Sequence, residues 1–147
     1  MAVEPQVHYY CRPVRELPLA TPVAVVTVQE FLADEPACKA LWDLVAAQFN
    51  TRSKFLTVWQ GVRYLAVHRD AAGAVDGLLL LTTPVNWQID YVVVAPSARG
   101  QKVGTALVVA ALNAAYRQGA PYVMLTSKES LRPLYESCGF EVVRTVA

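Results

Sequence analysis

A chain of 147 residues with 13 Lys and Arg against 12 Asp and Glu has a formal net charge of +1, too near neutral for nucleic acid to be its main partner. Although 54% of the residues are hydrophobic, charged residues, Pro or Gly interrupt every apolar stretch before the ~20 residues that a membrane span needs. The start, MAVEPQVHYYCRPVRE, has no signal-peptide core, so a soluble cytoplasmic protein with no membrane partner is expected.

The length fits one domain that buries roughly two-thirds of its unfolded surface. No repeat or Gly/Ser linker divides residues 1–147; residues 1–21 are Pro-rich and read as an N-terminal extension or edge strand. Cys11, Cys38 and Cys138 are odd in number and form no CxxC, which points to reduced thiols, most of them buried as small hydrophobes. His8 and His68 have no second ligand at metal spacing, and no metal is expected.

In chain order, PVAVVTVQEF (22–31) is β-branched enough for a strand, and ADEPACKALWDLVAAQFN (33–50) follows as a helix. Pro36 stands in its first turn, Leu41, Leu44, Val45 and Phe49 lie on one face, and Asn50 ends it. KFLTVWQGVRYLAVHRD (54–70) reads as two strand-like runs broken at Gln60-Gly61. After the turn signal Asp70-Ala71-Ala72-Gly73, AVDGLLLLTTPV (74–85) reads as another. WQIDYVVVAP (87–96) is the next strand and stops at Pro96. TALVVAALNAAYRQ (105–118) is a helix apolar almost all round, so it should be central and covered, with Gly119 as its stop. PYVMLTS (121–127) is a strand, SLRPLYESC (130–138) a short helix opened by Ser130, Gly139 its C-cap, and FEVVRTV (140–146) a last strand. The order is an antiparallel meander followed by β-α-β-α-β, with burial sufficient to explain Trp42, Trp59, Trp87 and the seven tyrosines.

The most specific stretch is VVVAPSARGQKVGTAL, residues 92–107. A strand that enters a helix through a Gly-containing turn leaves the first helical amides without partners at the positive end of the helix dipole. Gly100 and Gly104 admit a bulky phosphate, and Arg99 and Lys102 add charge at the rim. A tight turn with solvated cations is the plainer alternative. The glycines form GxxxG, which fits neither the P-loop GxxxxGK[ST] nor the dinucleotide GxGxxG.

This stretch resembles motif A of the GCN5-related N-acetyltransferases (GNAT), hydrophobic-x-V-x-P-x-x-[RQ]-G-x-G-[IV]-G-x-[AG]-L. It departs at Lys102, where the family pattern most often has glycine. Leu134-Tyr135-Glu136-Ser137-Cys138-Gly139-Phe140 is similar to the family's (F/L)YExxGF segment. The resemblance covers roughly residues 22–146. It implies the acyl-CoA N-acyltransferase fold, an α/β domain whose central sheet is mixed, mostly antiparallel, split and flanked by helices, and lacking its last strand. Such a chain would leave an edge beside FEVVRTV, for which VHYYCRPV or a second subunit of a homodimer is the expected cover.

The resemblance also implies function. Acetyl-CoA is the cosubstrate, with its pyrophosphate on Arg99, Gly100, Gln101, Lys102, Val103, Gly104 and Thr105 and its pantetheine arm along Val92, Val93 and Val94. Tyr135 is the general acid toward the thiolate. Asp90, ranked first, and Glu129 are candidate bases for the amine. Without the motifs, Tyr135 would read as a core residue, and the two acids as surface charges. The asparagine that many members carry before the (F/L)YExxGF helix is replaced by Ser127-Lys128-Glu129-Ser130. The reaction implied is direct acetyl transfer to a primary amine, the acceptor being a small amine, an amino acid or a protein N-terminus. The rivals are a non-catalytic CoA-binding or regulatory module and a structural subunit of the same fold.

Overall fold

The structure, a computed structural model, describes residues 4–48, 58–83 and 87–146. Among them, seven strands form one sheet in the order β2-β3-β4-β5-β6-β1-β7. These are β1 Gln6–Cys11, β2 Ala24–Thr27, β3 Val62–Arg69, β4 Val75–Thr82, β5 Trp87–Val94, β6 Val123–Lys128 and β7 Glu141–Val146. All neighbours are antiparallel except β5 and β6. The flanking helices are α1 Val28–Leu32, α2 Glu35–Gln48, α3 Val103–Arg117 and α4 Arg132–Ser137. The mixed, mostly antiparallel sheet with helices against it is the architecture expected from the sequence.

Strand β4 lies near the middle, and its residues Asp76 to Leu81 are all buried. Helices lie on both its faces, so the strand reads as a continuous apolar run instead of an alternation. Leu79, Leu81, Ile89, Val123 and Leu125 point to α3, with Val7 and Tyr9 of β1 in the same core. Leu78, Leu80, Tyr91 and Val93 point the other way, to Phe31 of α1 and Ala37, Leu41 and Val45 of α2. Each large side chain fully buried in this way stabilises the fold by about 1.5–3 kcal/mol. Among the described residues, the second core takes nothing from β6, β1 or β7.

Helix α3 is covered on most sides. The segment from Arg12 to Val23 passes behind it. There the Leu17 N–H donates to Asn113 Oδ1 at 2.8 Å, Asn113 Nδ2 donates to the Leu17 carbonyl at 2.9 Å, and Arg117 pairs with Glu16 at 2.6 Å. This cover explains why a helix with Val, Ala and Leu on nearly every face is stable in water. The buried His68 donates from Nδ1 to Asp76 Oδ1 at 2.5 Å and shares a hydrogen bond through Nε2 with Thr21 Oγ1 at 3.1 Å, which ties the same segment to the sheet.

The N-terminal strand answers the question of the missing last strand. β1 inserts between β6 and β7, pairing His8 with Thr126 on one side and with Arg144 on the other. VHYYC therefore covers the inner edge of FEVVRTV, the first of the two arrangements expected.

Several boundaries differ from the sequence reading. The strand expected over 22–31 ends at Thr27, because Thr27 caps a helix: its Oγ1 accepts from the Glu30 N–H while Glu30 Oε1 accepts from the Thr27 N–H. Val58 and Trp59, expected in a strand, are helical. Phe49, Asn50, residues 54–57 and Pro84-Val85 lie outside the described residues. α3 begins at Val103 instead of Thr105. Leu131, not Ser130, precedes α4, after a 3-10 turn at Glu129–Leu131. Trp42, Tyr116 and Tyr122 are exposed rather than core residues. Cys11 and Cys138 are buried in the first core as small hydrophobes, and burial raises both thiols, Cys11 to about 11.

Candidate functional site

The site forms where the parallel pair comes apart. Strands β5 and β6 pair only through Trp87, Gln88 and Ile89 against Val123, Met124 and Leu125. On its other side β5 has a bulge: Leu80 pairs with Tyr91 and Leu81 with Ile89, so Asp90 is the extra residue. A bulge bends its strand and increases the local twist. The bend falls where the β5–β6 ladder stops. Beyond it the two strands line a cavity in place of each other.

Two cavities meet in this opening. One, of about 440 Å³, lies at the start of α3 and is lined by Val92, Val94, Ala98, Arg99, Gly100, Lys102, Val103, Gly104, Thr105, Leu131, Leu134 and Tyr135. The other, of about 690 Å³, reaches through the split and is lined by Gln6, Val58, Gln88, Ile89, Asp90, Tyr91, Val92, Leu125, Thr126, Ser127, Lys128, Leu131 and Tyr135. Val92, Leu131 and Tyr135 belong to both. They form the waist between them.

The loop wall of the first cavity follows from its backbone. Pro96–Ala98 make a 3-10 turn, Gly100 has φ +79° and Lys102 has φ +61°, ψ +22°. Two left-handed residues around Gln101 turn the chain sharply into α3. The Ala106 N–H donates to the Lys102 carbonyl at 3.0 Å, and the amides of Val103, Gly104 and Thr105 precede any intrahelical acceptor. Lys102 is thus the non-glycine residue that follows a glycine path, at about 1–2 kcal/mol of strain. Lys102, the departure from the family pattern, joins Arg99 among the residues that line the cavity.

A residue that sequence reasoning passed over sets where this loop sits. A Cβ on Gly77 of β4 would lie 2.8 Å from Val103 Cγ1 and 3.2 Å from Leu107 Cδ1. The missing side chain lets the start of α3 close onto the sheet. The Asp-Gly pair inside an apolar run was the available signal, since Gly within a strand often marks close approach of another element.

Tyr135 is buried at the waist, its ring 5.4 Å from Tyr9 and 6.0 Å from Phe140, centre to centre. Burial pushes its phenol above the ordinary tyrosine value, an effect that the Ser127 side chain partly offsets. The N-terminal segment fixes the approach to its helix. The Glu129 N–H donates to the Pro5 carbonyl at 3.1 Å and the Ser130 N–H to Glu4 Oε1 at 2.5 Å.

Asp90 lines the second cavity. Its Oδ1 accepts from Gln88 Nε2 at 3.1 Å, and its Oδ2 is buried with no hydrogen-bond partner among the described residues. Desolvation raises its carboxyl above the usual carboxylate range, against the Thr82 and Gln88 side chains. Glu129 is placed differently. It is held by the Arg132 guanidinium through two contacts of 2.8 Å and lines neither cavity. Val93 points into the second core, and Gln101 is exposed with its amide on the Ser97 carbonyl. The structure therefore brings Tyr135, Asp90, Val92, Val94 and most of the loop to one opening, and leaves Glu129 and the Val93 and Gln101 side chains outside it.

Comparison with known proteins gives this geometry relatives. A model of the acetyltransferase (GNAT) domain matches residues 60–142. Among solved structures, a GCN5-related N-acetyltransferase from Sphaerobacter thermophilus is 20% identical with a TM-score of 0.73, covering 97% of this chain and 50% of its own. One from Kribbella flavida is 19% identical, TM-score 0.67, with 97% and 56% covered. A tandem GNAT protein from the clavulanic acid biosynthesis pathway is 22% identical, TM-score 0.62, with 99% and 52% covered. The chain spans about half the length of these three, and at such identities the likeness establishes the fold.

Proposed function

Since the chain belongs to the GNAT acetyltransferase domain family, we propose that it transfers the acetyl group of acetyl-CoA directly to a primary amine, with Tyr135 as general acid and Asp90 as general base. The observation that carries this reading is the waist. Tyr135 stands between a cavity walled by helix-start amides and a cavity walled by a desolvated carboxylate.

The residues present fit acetyl-CoA. The amides of Val103 to Thr105, with Arg99 and Lys102 beside them, suit a pyrophosphate. The stretch of β5 beyond Ile89 offers main chain to an amide-containing arm, as a strand edge offers it to an added strand. Acetyl-CoA supplies the activated acyl group.

Asp90 takes a proton from the incoming ammonium, leaving a neutral amine to form the new C–N bond as the C–S bond breaks. A carboxyl raised by burial is a stronger base than one in water. Tyr135 gives its phenolic proton to the departing thiolate and regains one as the new amide nitrogen sheds its second proton. A phenol with a raised pKa stays protonated across the neutral range. Activity should fall as pH drops through the raised Asp90 value and hold on the alkaline side until Tyr135 ionises.

Calorimetry with acetyl-CoA and turnover against an amine panel test the reading. Tyr135→Phe should lower kcat by about 100-fold or more while CoA still binds. Unchanged turnover in Tyr135→Phe removes the acid assignment. Binding with no amine ever acetylated favours a non-catalytic module.

A further inference from the structure

The second cavity carries charge that the transfer reaction does not use. Cross-strand partners share a face of a sheet, so the pairing of β6 with β1 puts Lys128 beside Gln6, Thr126 beside His8 and Met124 beside Tyr10. Gln88 lies on this same face, being partnered with Met124, and its amide holds Asp90. Among the described residues α1 and α2 cover only the β2–β5 part of it. Asp90 and Lys128 therefore stand on opposite lips of one split and line one cavity. Lys128 forms no ion pair among the described residues. Of the acids near it, Glu4 holds the Ser130 N–H and feels the Lys128 charge, and Glu129 is paired with Arg132.

We infer that the acceptor is an amino acid or a similar carboxylate-bearing primary amine, its ammonium at Asp90 and its carboxylate at Lys128. This rests on the acetyltransferase reading above and narrows its substrate. Asp90 directly follows Ile89, the last residue of β5 paired with β6, and Lys128 lies three positions beyond Leu125, the partner of Ile89, so the two charges span the widening end of the split. The long lysine side chain can close part of that span, which accommodates the short separation of charges in an amino acid. Thr126 and Gln6 add a hydroxyl and an amide on the Lys128 side, whereas the Asp90 side presents a carboxylate. The two ends of the cavity thus prefer opposite charges. A plain alkylamine would satisfy one end and leave the other in water. A polyamine would bring a second cation to Lys128.

The test compares each of several amino acids with the amine left when its carboxyl group is removed: phenylalanine with 2-phenylethylamine, lysine with 1,5-diaminopentane. The wild-type protein should favour the amino acid by roughly tenfold or more in kcat/KM, the scale of one charge-assisted contact. Lys128→Gln should bring that ratio close to one, and Lys128→Arg should keep it. A wild-type ratio near one, or a ratio that Lys128→Gln leaves in place, overturns the inference while the acetyltransferase reading stands on the turnover itself. Calorimetric affinities of the same pairs for the CoA-saturated protein supply a readout that needs no turnover. If no amine is acetylated, the transferase reading fails, and equal affinities or a preference for the amine overturn this one as well.

Discussion

The two parts of the sheet are built on different principles. Strands β2 to β5 follow one another in the chain, pair only with neighbours and are covered on both faces by helices. Strands β6, β1 and β7 are brought together from opposite ends of the sequence, and the described helices cover one of their faces. The first part can form from local contacts. The second closes only by pairing residues over a hundred positions apart, at a larger loop-closure cost. The site lies on the line between them, where a rigid scaffold meets a partly open sheet. This division lets a cleft exist without a gap in the core.

The strongest way to break the comparison is to remove β1. Truncation through Cys11 strips a strand from both β6 and β7 and takes Val7 and Tyr9, each fully buried, out of the core. The loss approaches the whole stability of a domain, about 5–15 kcal/mol, so cooperative melting should vanish, and a peptide spanning residues 4–13 added in trans should restore part of it. A cooperative melt of the truncated chain without peptide would show that the β6–β7 part does not depend on β1. Gly77→Ala tests the scaffold side. Its Cβ meets Val103 at 2.8 Å, and overpacking there should cost about 1–3 kcal/mol in denaturant unfolding and weaken CoA binding by shifting α3.

Smaller effects separate backbone from side chain in the loop. A Cβ on Gly100 meets nothing within 4 Å, so Gly100→Ala should cost only the left-handed conformation, about 1–2 kcal/mol. Lys102→Gly relieves similar strain but frees the unfolded chain by roughly 0.5–1 kcal/mol, leaving a near-neutral result by thermal melting. An effect of opposite sign belongs to Asp90. Because burial raises its carboxyl above the unfolded value, the charged form burdens the fold at pH above that raised value and not below the unfolded one. Asp90→Asn should therefore raise stability at neutral pH by about 1 kcal/mol, the gain fading on acidification, while turnover falls.

The residues that made this fold legible are those whose chemistry is local. Pro96, Gly100 and Gly104 between a β-branched run and an Ala-rich helix mark the joint, and Gly139 marks the end of the Tyr135 helix, because turns impose residue types at fixed offsets. The T-x-x-E of Thr27 to Glu30 was equally local and signalled the helix start that the reading as a strand missed. Tertiary placement was harder to read. Nothing in the order of apolar residues around Asp90 announces a bulge, since the bulge is a property of the pairing of β5 with β4, a strand separate in sequence. Nor does the sequence near Glu129 reveal that Arg132 claims it, although the i,i+3 spacing allows the pair. The role of Gly77 becomes clear only once α3 is laid across it.

The insertion of β1 also orders events during synthesis. His8 is made 118 residues ahead of its partner Thr126, and β7 comes later still. The N-terminal strand must wait, unpaired, while the meander and α3 are translated and begin to fold ahead of it. The clamp of Pro5 and Glu4 on the approach to Tyr135 is then among the last contacts to close, so the opening takes its shape only when almost the whole of the sheet has been made.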